Sequence, residues 1–122
     1  MNPTPISLAF FLISFLCFTQ AKEPKRQVLA CVGDSITQGV GAERGQSWPA
    51  QAQKILGEKW KVENFGLSGT TLMNSGNKPY QKSKQFRAAL SSNPDVVVIM
   101  LGTNDTKPAN WKNSADDYEV DY

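Results

Sequence analysis

Asp95 to Leu101 reads DVVVIML, an aspartate followed by six consecutive apolar residues. A run of that length is a strand rather than a helix. Because it is apolar at every position, and not at every second one, it calls for cover on both faces. Such cover is typical of parallel sheets, whose crossover helices lie on the sheet faces. The rest of the chain supplies matching parts. Gln27–Val32 (QVLACV) is a shorter apolar run ending at Gly33, and Trp60–Phe65 (WKVENF) alternates as a second strand would. Between them Ser47 offers a helix cap, Pro49 lies in the first turn and Gly57 ends the helix. Its residues Trp48, Ala52, Ile55 and Leu56 share one helical face. Gln81–Leu90 reads as a second helix with Phe86, Ala89 and Leu90 as its buried side, and Asn93-Pro94-Asp95 is a turn. The alternation predicts an α/β fold, a parallel sheet with helices on its faces.

Beyond the third strand the chain is polar until Ser114-Ala115-Asp116-Asp117, which resembles a capping-box helix start. Tyr118 and Tyr122 follow four residues apart, on one face of that helix. The N-terminus has a separate character. Leu8–Phe18 (LAFFLISFLCF) is uncharged and shorter than the roughly 20 apolar residues of a membrane span. With Thr19-Gln20-Ala21 behind it, it reads as a secretory signal peptide over residues 1–21, although Met1–Ser7 carries no Lys or Arg. The alternatives are a buried N-terminal helix or an uncleaved anchor. Residues 22–27 then form a solvated linker and 28–122 the domain, exported to the periplasm or the exterior.

Composition removes several classes of function. A net charge of +2, with Lys and Arg spread along the chain, gives no nucleic-acid footprint. Two cysteines and no histidine exclude a four-thiolate site, any zinc site that needs imidazole, and a His-containing triad completed within these residues. No cofactor is expected. Neither Gly66-Leu67-Ser68-Gly69-Thr70 nor Gly39-Val40-Gly41-Ala42-Glu43-Arg44 completes the glycine motif it approaches. Asn104-Asp105-Thr106 is a glycosylation sequon by chance.

The functional signal lies where the three strands end. Parallel strands place their carboxyl ends at one sheet edge, where ligands bind in open α/β folds. Gly33-Asp34-Ser35, Gly66-Leu67-Ser68-Gly69 and Gly102-Thr103-Asn104-Asp105 all fall there. Ser35 would present a hydroxyl at a strand-to-helix turn, as a nucleophile must. Gly69 offers an unobstructed backbone N–H and Asn104 an amide NH₂; with the N–H of Ser35 these suit an oxyanion hole. Taken singly, each residue has a plainer reading: Asp34 as a helix cap, Gly69 as a left-handed turn position, Asn104 as a turn residue.

GDSIT (Gly33–Thr37) with Gly39 and Gly41, NFGLSGTT (Asn64–Thr71) and GTND (Gly102–Asp105), in that order and spacing, resemble the SGNH/GDSL hydrolase superfamily. The resemblance covers Val28 to Tyr122. Trp48-Pro49, Pro79-Tyr80 and Trp111 are similar, less specifically, to carbohydrate O-acetylesterases and GDSL-type lipases. It implies a flavodoxin-like three-layer α/β/α fold, here about three strands of it. It also implies ester hydrolysis through a serine acyl-enzyme, with Ser35 as nucleophile, Gly69 and Asn104 as oxyanion donors and Asp34 as a supporting turn residue. The substrate would be a small-molecule, lipid or carbohydrate ester. The family's Asp-x-x-His block, source of the base, has no counterpart here, so the chain is expected to be an N-terminal portion with little activity. Such a portion leaves DVVVIML as a bare apolar edge, with poor solubility as the consequence. A non-catalytic acyl-sugar-binding module or a decayed pseudoenzyme are the other readings. Oligomeric state, acyl group and alcohol are not legible.

Overall fold

The computed structural model describes residues 25–122, so the signal-peptide reading lies outside the described residues. Among the described residues no helix is long and apolar enough to cross a membrane. Three parallel strands, β1 (Gln27–Gly33), β2 (Trp60–Gly66) and β3 (Val96–Met100), form one sheet in the order β2-β1-β3. The order places the most buried strand, β1, in the middle. Its register pairs Val32 with Phe65 and with Ile99. The start of β3 is tied back to β1 by Asp95, whose backbone N–H donates to the Val28 carbonyl (2.9 Å) while its carboxylate accepts from the Val28 N–H (2.7 Å).

The helices are α1 (Ser35–Gln38), α2 (Trp48–Leu56), α3 (Lys84–Ser91), α4 (Pro108–Ser114) and α5 (Tyr118–Asp121). Strand alternation assigns their sides. Val32 and Phe65 pack with Tyr80, Phe86 and Ala89 of the α3 segment. The neighbouring β2 positions point the other way, where the Asn64 amide donates to the Thr37 carbonyl of α1 (2.8 Å). Helix α2 joins α1 on that side through the Trp48 indole N–H donating to Thr37 Oγ1 (3.2 Å). The result is a three-layer α/β/α arrangement of the flavodoxin-like kind, as expected.

Several local expectations are corrected. Strand β3 is not covered on both faces: all five of its residues are 40–49% exposed. It is an edge strand, and among the described residues no element packs beyond it, so the bare-edge expectation is the one the structure meets. The same open edge leaves Leu90 exposed. It lines a groove of about 440 Å³ with Phe86, Val97, Ile99 and Leu101, and none of Ser35, Gly69 and Asn104 lines that groove. Ile55 is 84% exposed rather than buried. Two positions earlier, hence on the other side of α2, the Gln53 amide faces β2 and completes its backbone, accepting from Val62 N–H (2.9 Å) and donating to the Trp60 carbonyl (3.0 Å). The Ser47 side chain makes no capping hydrogen bond. Helix three begins at Lys84 behind a short 3₁₀ turn, with Ser83 Oγ accepting from the Phe86 N–H (3.0 Å). The C-terminal helical run starts at Pro108, not at Ser114; proline suits a first helical turn, but the segment's polar residues carry no apolar period to mark it.

Candidate active site

Helix α1 starts at the residue after Asp34. The buried Asp34 carboxylate caps it, accepting from the Ile36 N–H at 2.9 Å, which is the helix-cap reading of that residue. Ser35 is therefore the first helical residue, half-buried at the carboxyl end of β1. A single turn of helix fits so close to the sheet because the facing strand ends in glycine. A Cβ on Gly66 would overlap the backbone nitrogen of Gln38.

The 66–80 loop is stitched to both neighbours. Leu67 N–H donates to the Gly33 carbonyl (2.9 Å) and Ser68 N–H to Gln38 Oε1 (2.7 Å). Lys78 Nζ closes the turn onto the Ser68 carbonyl (2.7 Å), and Thr71 and Pro79 form an isolated bridge across the loop. Gly69 sits at the turn's apex with φ +80°, a conformation that L residues with a Cβ disfavour. Among the described residues, neither the Gly69 N–H nor the Ser35 N–H has a protein acceptor.

Asn104 follows β3 and is buried. Its amide donates to the Thr70 carbonyl at 2.9 Å, and the same nitrogen lies 3.5 Å from Asp34 Oδ2, a long and weak contact. Its own backbone carbonyl accepts from the Asn110 amide (2.8 Å). One side chain thus touches the segments carrying Ser35 and Gly69, so the three strand-end segments meet as topology requires. The Asn104 amide is buried and engaged, which leaves the sequon no accessible acceptor in the folded chain.

Two residues that sequence reasoning gave no role hold this arrangement. The Asp105 carboxylate is fully buried and accepts from two successive N–H groups, Leu72 (2.9 Å) and Met73 (2.8 Å). Asn110 of α4 accepts from the Asn77 N–H (2.9 Å) and donates to Asn104, so the 66–80 loop is anchored from behind. An aspartate directly after a strand-end asparagine was the available signal for the first; Asn110 lay in a stretch with no pattern at all. The buried carboxylates of Asp34 and Asp105 have N–H partners in place of cations; the one ion pair among the described residues, Lys61–Glu63 (2.6 Å), lies elsewhere on β2. The Tyr118 hydroxyl packs on Gly102, and burial, with the nearby Asp105 and Tyr122 charges adding to it, pushes its pKa up. No group of three or more His, Cys, Asp or Glu side chains suited to a metal occurs among the described residues.

Comparison with known proteins matches residues 31–121 to the GDSL-like Lipase/Acylhydrolase family. An acetylxylan esterase of Xylanibacter ruminicola is 47% identical over 93 residues, covering 73% of this chain and 19% of that protein. Among solved structures, AlinE4, an SGNH-hydrolase family esterase, superposes with TM-score 0.52 at 25% identity, covering 80% of this chain and 53% of that one. A carbohydrate acetylesterase family member from Sinorhizobium meliloti gives TM-score 0.56 at 27% identity, covering 75% and 48%. The chain thus spans about a fifth of the curated relative and about half of each solved structure.

Proposed function

The chain belongs to the GDSL-like Lipase/Acylhydrolase family, and from that premise we propose that it carries the nucleophile and oxyanion hole of a serine ester hydrolase acting on an acylated carbohydrate. Ser35 Oγ attacks the ester carbonyl as a base from outside these residues, such as added imidazole, takes its proton. The N–H groups of Ser35 and Gly69 receive the oxyanion together with the Asn104 amide, which keeps its bond to Thr70 and gives up the long 3.5 Å contact to Asp34; the alcohol leaves with the proton returned by the base, and water hydrolyses the acyl-serine. The observation that carries this reading is the meeting of the three strand ends through Asn104, with the Ser35 and Gly69 N–H groups unclaimed. The acetylxylan esterase and the carbohydrate acetylesterase support a sugar ester over a lipid one. Asp34 and Asp105 are positioning residues: the first orients α1 and the second holds the loop that bears Gly69.

The 122 residues contain no histidine, so the serine has no imidazole base within them and turnover is expected to be slow. External imidazole tests this directly. With p-nitrophenyl acetate, the chain in imidazole should release p-nitrophenol faster than its Ser35→Ala variant in the same buffer, and without imidazole the two should be nearly equal. Equal rates at every imidazole concentration would end the proposal. Rapid Ser35-dependent turnover without imidazole would show that the base is not needed. The alternative is an acyl-sugar-binding module that does no chemistry. That module would bind acetylated sugars yet show no Ser35-dependent rate under either condition.

A further inference from the structure

The unclaimed Gly69 N–H belongs to the peptide unit whose carbonyl is that of Ser68. That carbonyl accepts from Lys78 Nζ at 2.7 Å. A trans peptide points its C=O and N–H in opposite directions, so whatever holds the Ser68 carbonyl also sets where the Gly69 N–H faces. The bond lies at the centre of a turn over Leu67–Thr70. Thr70 N–H donates to the Leu67 carbonyl (3.4 Å), and Gly69, third in the turn, has φ +80°. Ser68 is not among the residues with positive φ, which makes the turn type II. A type I turn over the same four residues would have the Ser68–Gly69 peptide turned over and φ near about −90° at the third residue. Glycine adopts both conformations, so residue type alone permits either direction of the N–H.

Lys78 is placed to make the choice. Its backbone is pinned opposite the turn: Thr71 N–H donates to the Lys78 carbonyl (2.9 Å), and the N–H of the preceding residue, Asn77, donates to Asn110 Oδ1 (2.9 Å). The side chain runs along the turn, with Cδ 3.9 Å and Nζ 4.0 Å from the place a Cβ on Gly69 would take. Among the described residues no carboxylate pairs with this ammonium, so its charge is directed at the Ser68 carbonyl. That charge polarises the peptide and strengthens its N–H as a donor. The Ser68 N–H is held separately, by Gln38 Oε1 (2.7 Å) at the end of the helix that begins with Ser35.

The geometry points to Lys78 as a positioning residue for ester hydrolysis, its ammonium latching the Ser68–Gly69 peptide with the N–H turned to receive the oxyanion. The assignment rests on the ester-hydrolase reading above and adds the side chain that keeps one oxyanion donor aimed. Without the ammonium the peptide turns over in part of the population. The Ser68 carbonyl then takes the place of the donor, and developing negative charge meets an oxygen.

Lys78 is exposed, so Lys78→Met removes the donor and keeps the fold. In the parent chain a strong nuclear Overhauser cross-peak between Ser68 Hα and the Gly69 N–H marks the type II turn, and in Lys78→Met it should weaken as the type I form grows. With p-nitrophenyl acetate at one imidazole concentration, the Ser35-dependent kcat of Lys78→Met should fall about tenfold with KM unchanged, part of the ~100- to 1000-fold that loss of an oxyanion donor costs. Lys78→Arg keeps an N–H donor and should retain the cross-peak and a kcat within about threefold of the parent. A parent chain without the cross-peak, or Lys78→Met with the parental cross-peak and rate, would overturn the proposal. A weakened cross-peak with kcat unchanged would also overturn it and leave the esterase reading standing. A turn that flips in Lys78→Met, in a chain with no Ser35-dependent hydrolysis in any variant, would support Lys78 as the latch of this peptide and remove the esterase.

Discussion

Asp105 offers the sharpest test of how the site is held. Its carboxylate is 0% exposed and has no cation, and it accepts from the Leu72 and Met73 N–H groups at 2.9 and 2.8 Å across more than thirty residues of sequence. Hydrogen bonds to a charged group contribute about 1.5–3 kcal/mol each, and a buried N–H left without a partner costs about 1–3 kcal/mol. Asp105→Ala removes both bonds and orphans both donors, so a loss of about 3–5 kcal/mol is expected. Against the ~5–15 kcal/mol of a typical domain, that brings the fold close to its limit. Asp105→Asn keeps one acceptor but points an NH₂ at the second donor, for a loss of about 1.5–3 kcal/mol. With a urea slope near 1 kcal/mol/M for a chain this small, the asparagine variant should unfold about 1.5–3 M earlier. Amide exchange should accelerate first at Leu72 and Met73. An Asp105→Asn midpoint within about 0.5 M of the parent would refute the reasoning, because it would mean that the paired N–H groups find other partners at no cost.

Two further outcomes follow from backbone geometry and burial. Gly66→Ala should destabilise by about 3 kcal/mol or more, since its Cβ meets the immovable Gln38 backbone, whereas Gly69→Ala should cost only the ~1–2 kcal/mol of a left-handed residue, its nearest neighbour being the Lys78 side chain at 3.9 Å; urea midpoints in the reverse order would contradict this. Burial pushes the Cys31 thiol from an ordinary 9.0 to about 11 and the Tyr80 phenol from 10.0 to about 12. The unfolded chain gives up these protons before the folded one does. Stability should therefore be complete below pH 9 and fall as pH rises through 11 to 12, and a urea midpoint equal at pH 8 and pH 10.5 would sink the argument.

How much was legible beforehand differs by element. The strands could be read because a short apolar run bounded by turn residues is a local signal whether or not it ends up covered, as in QVLACV and DVVVIML. The meeting of Ser35, Gly69 and Asn104 could be read because parallel connection allows the strand ends only one edge. Exposure could not be read in the same way. Ile55 and Leu90 have the right period for a core face, yet whether that face meets protein depends on what lies beyond β2 and β3. At β2 the neighbour is the Gln53 amide, a polar answer to an unpaired strand edge that no hydrophobic pattern announces.

The sequence by itself determined the layered α/β order and the three polar strand ends, since each depends on residue type and spacing along the chain. Only the tertiary structure decided what holds those ends together. Asp105 reaches Leu72 and Met73 and Asn110 reaches Asn77 because folding brings together groups whose separation in sequence carries no periodic signal. A buried carboxylate finds its donors by the shape of a loop, and that shape exists only once the sheet beneath it has formed.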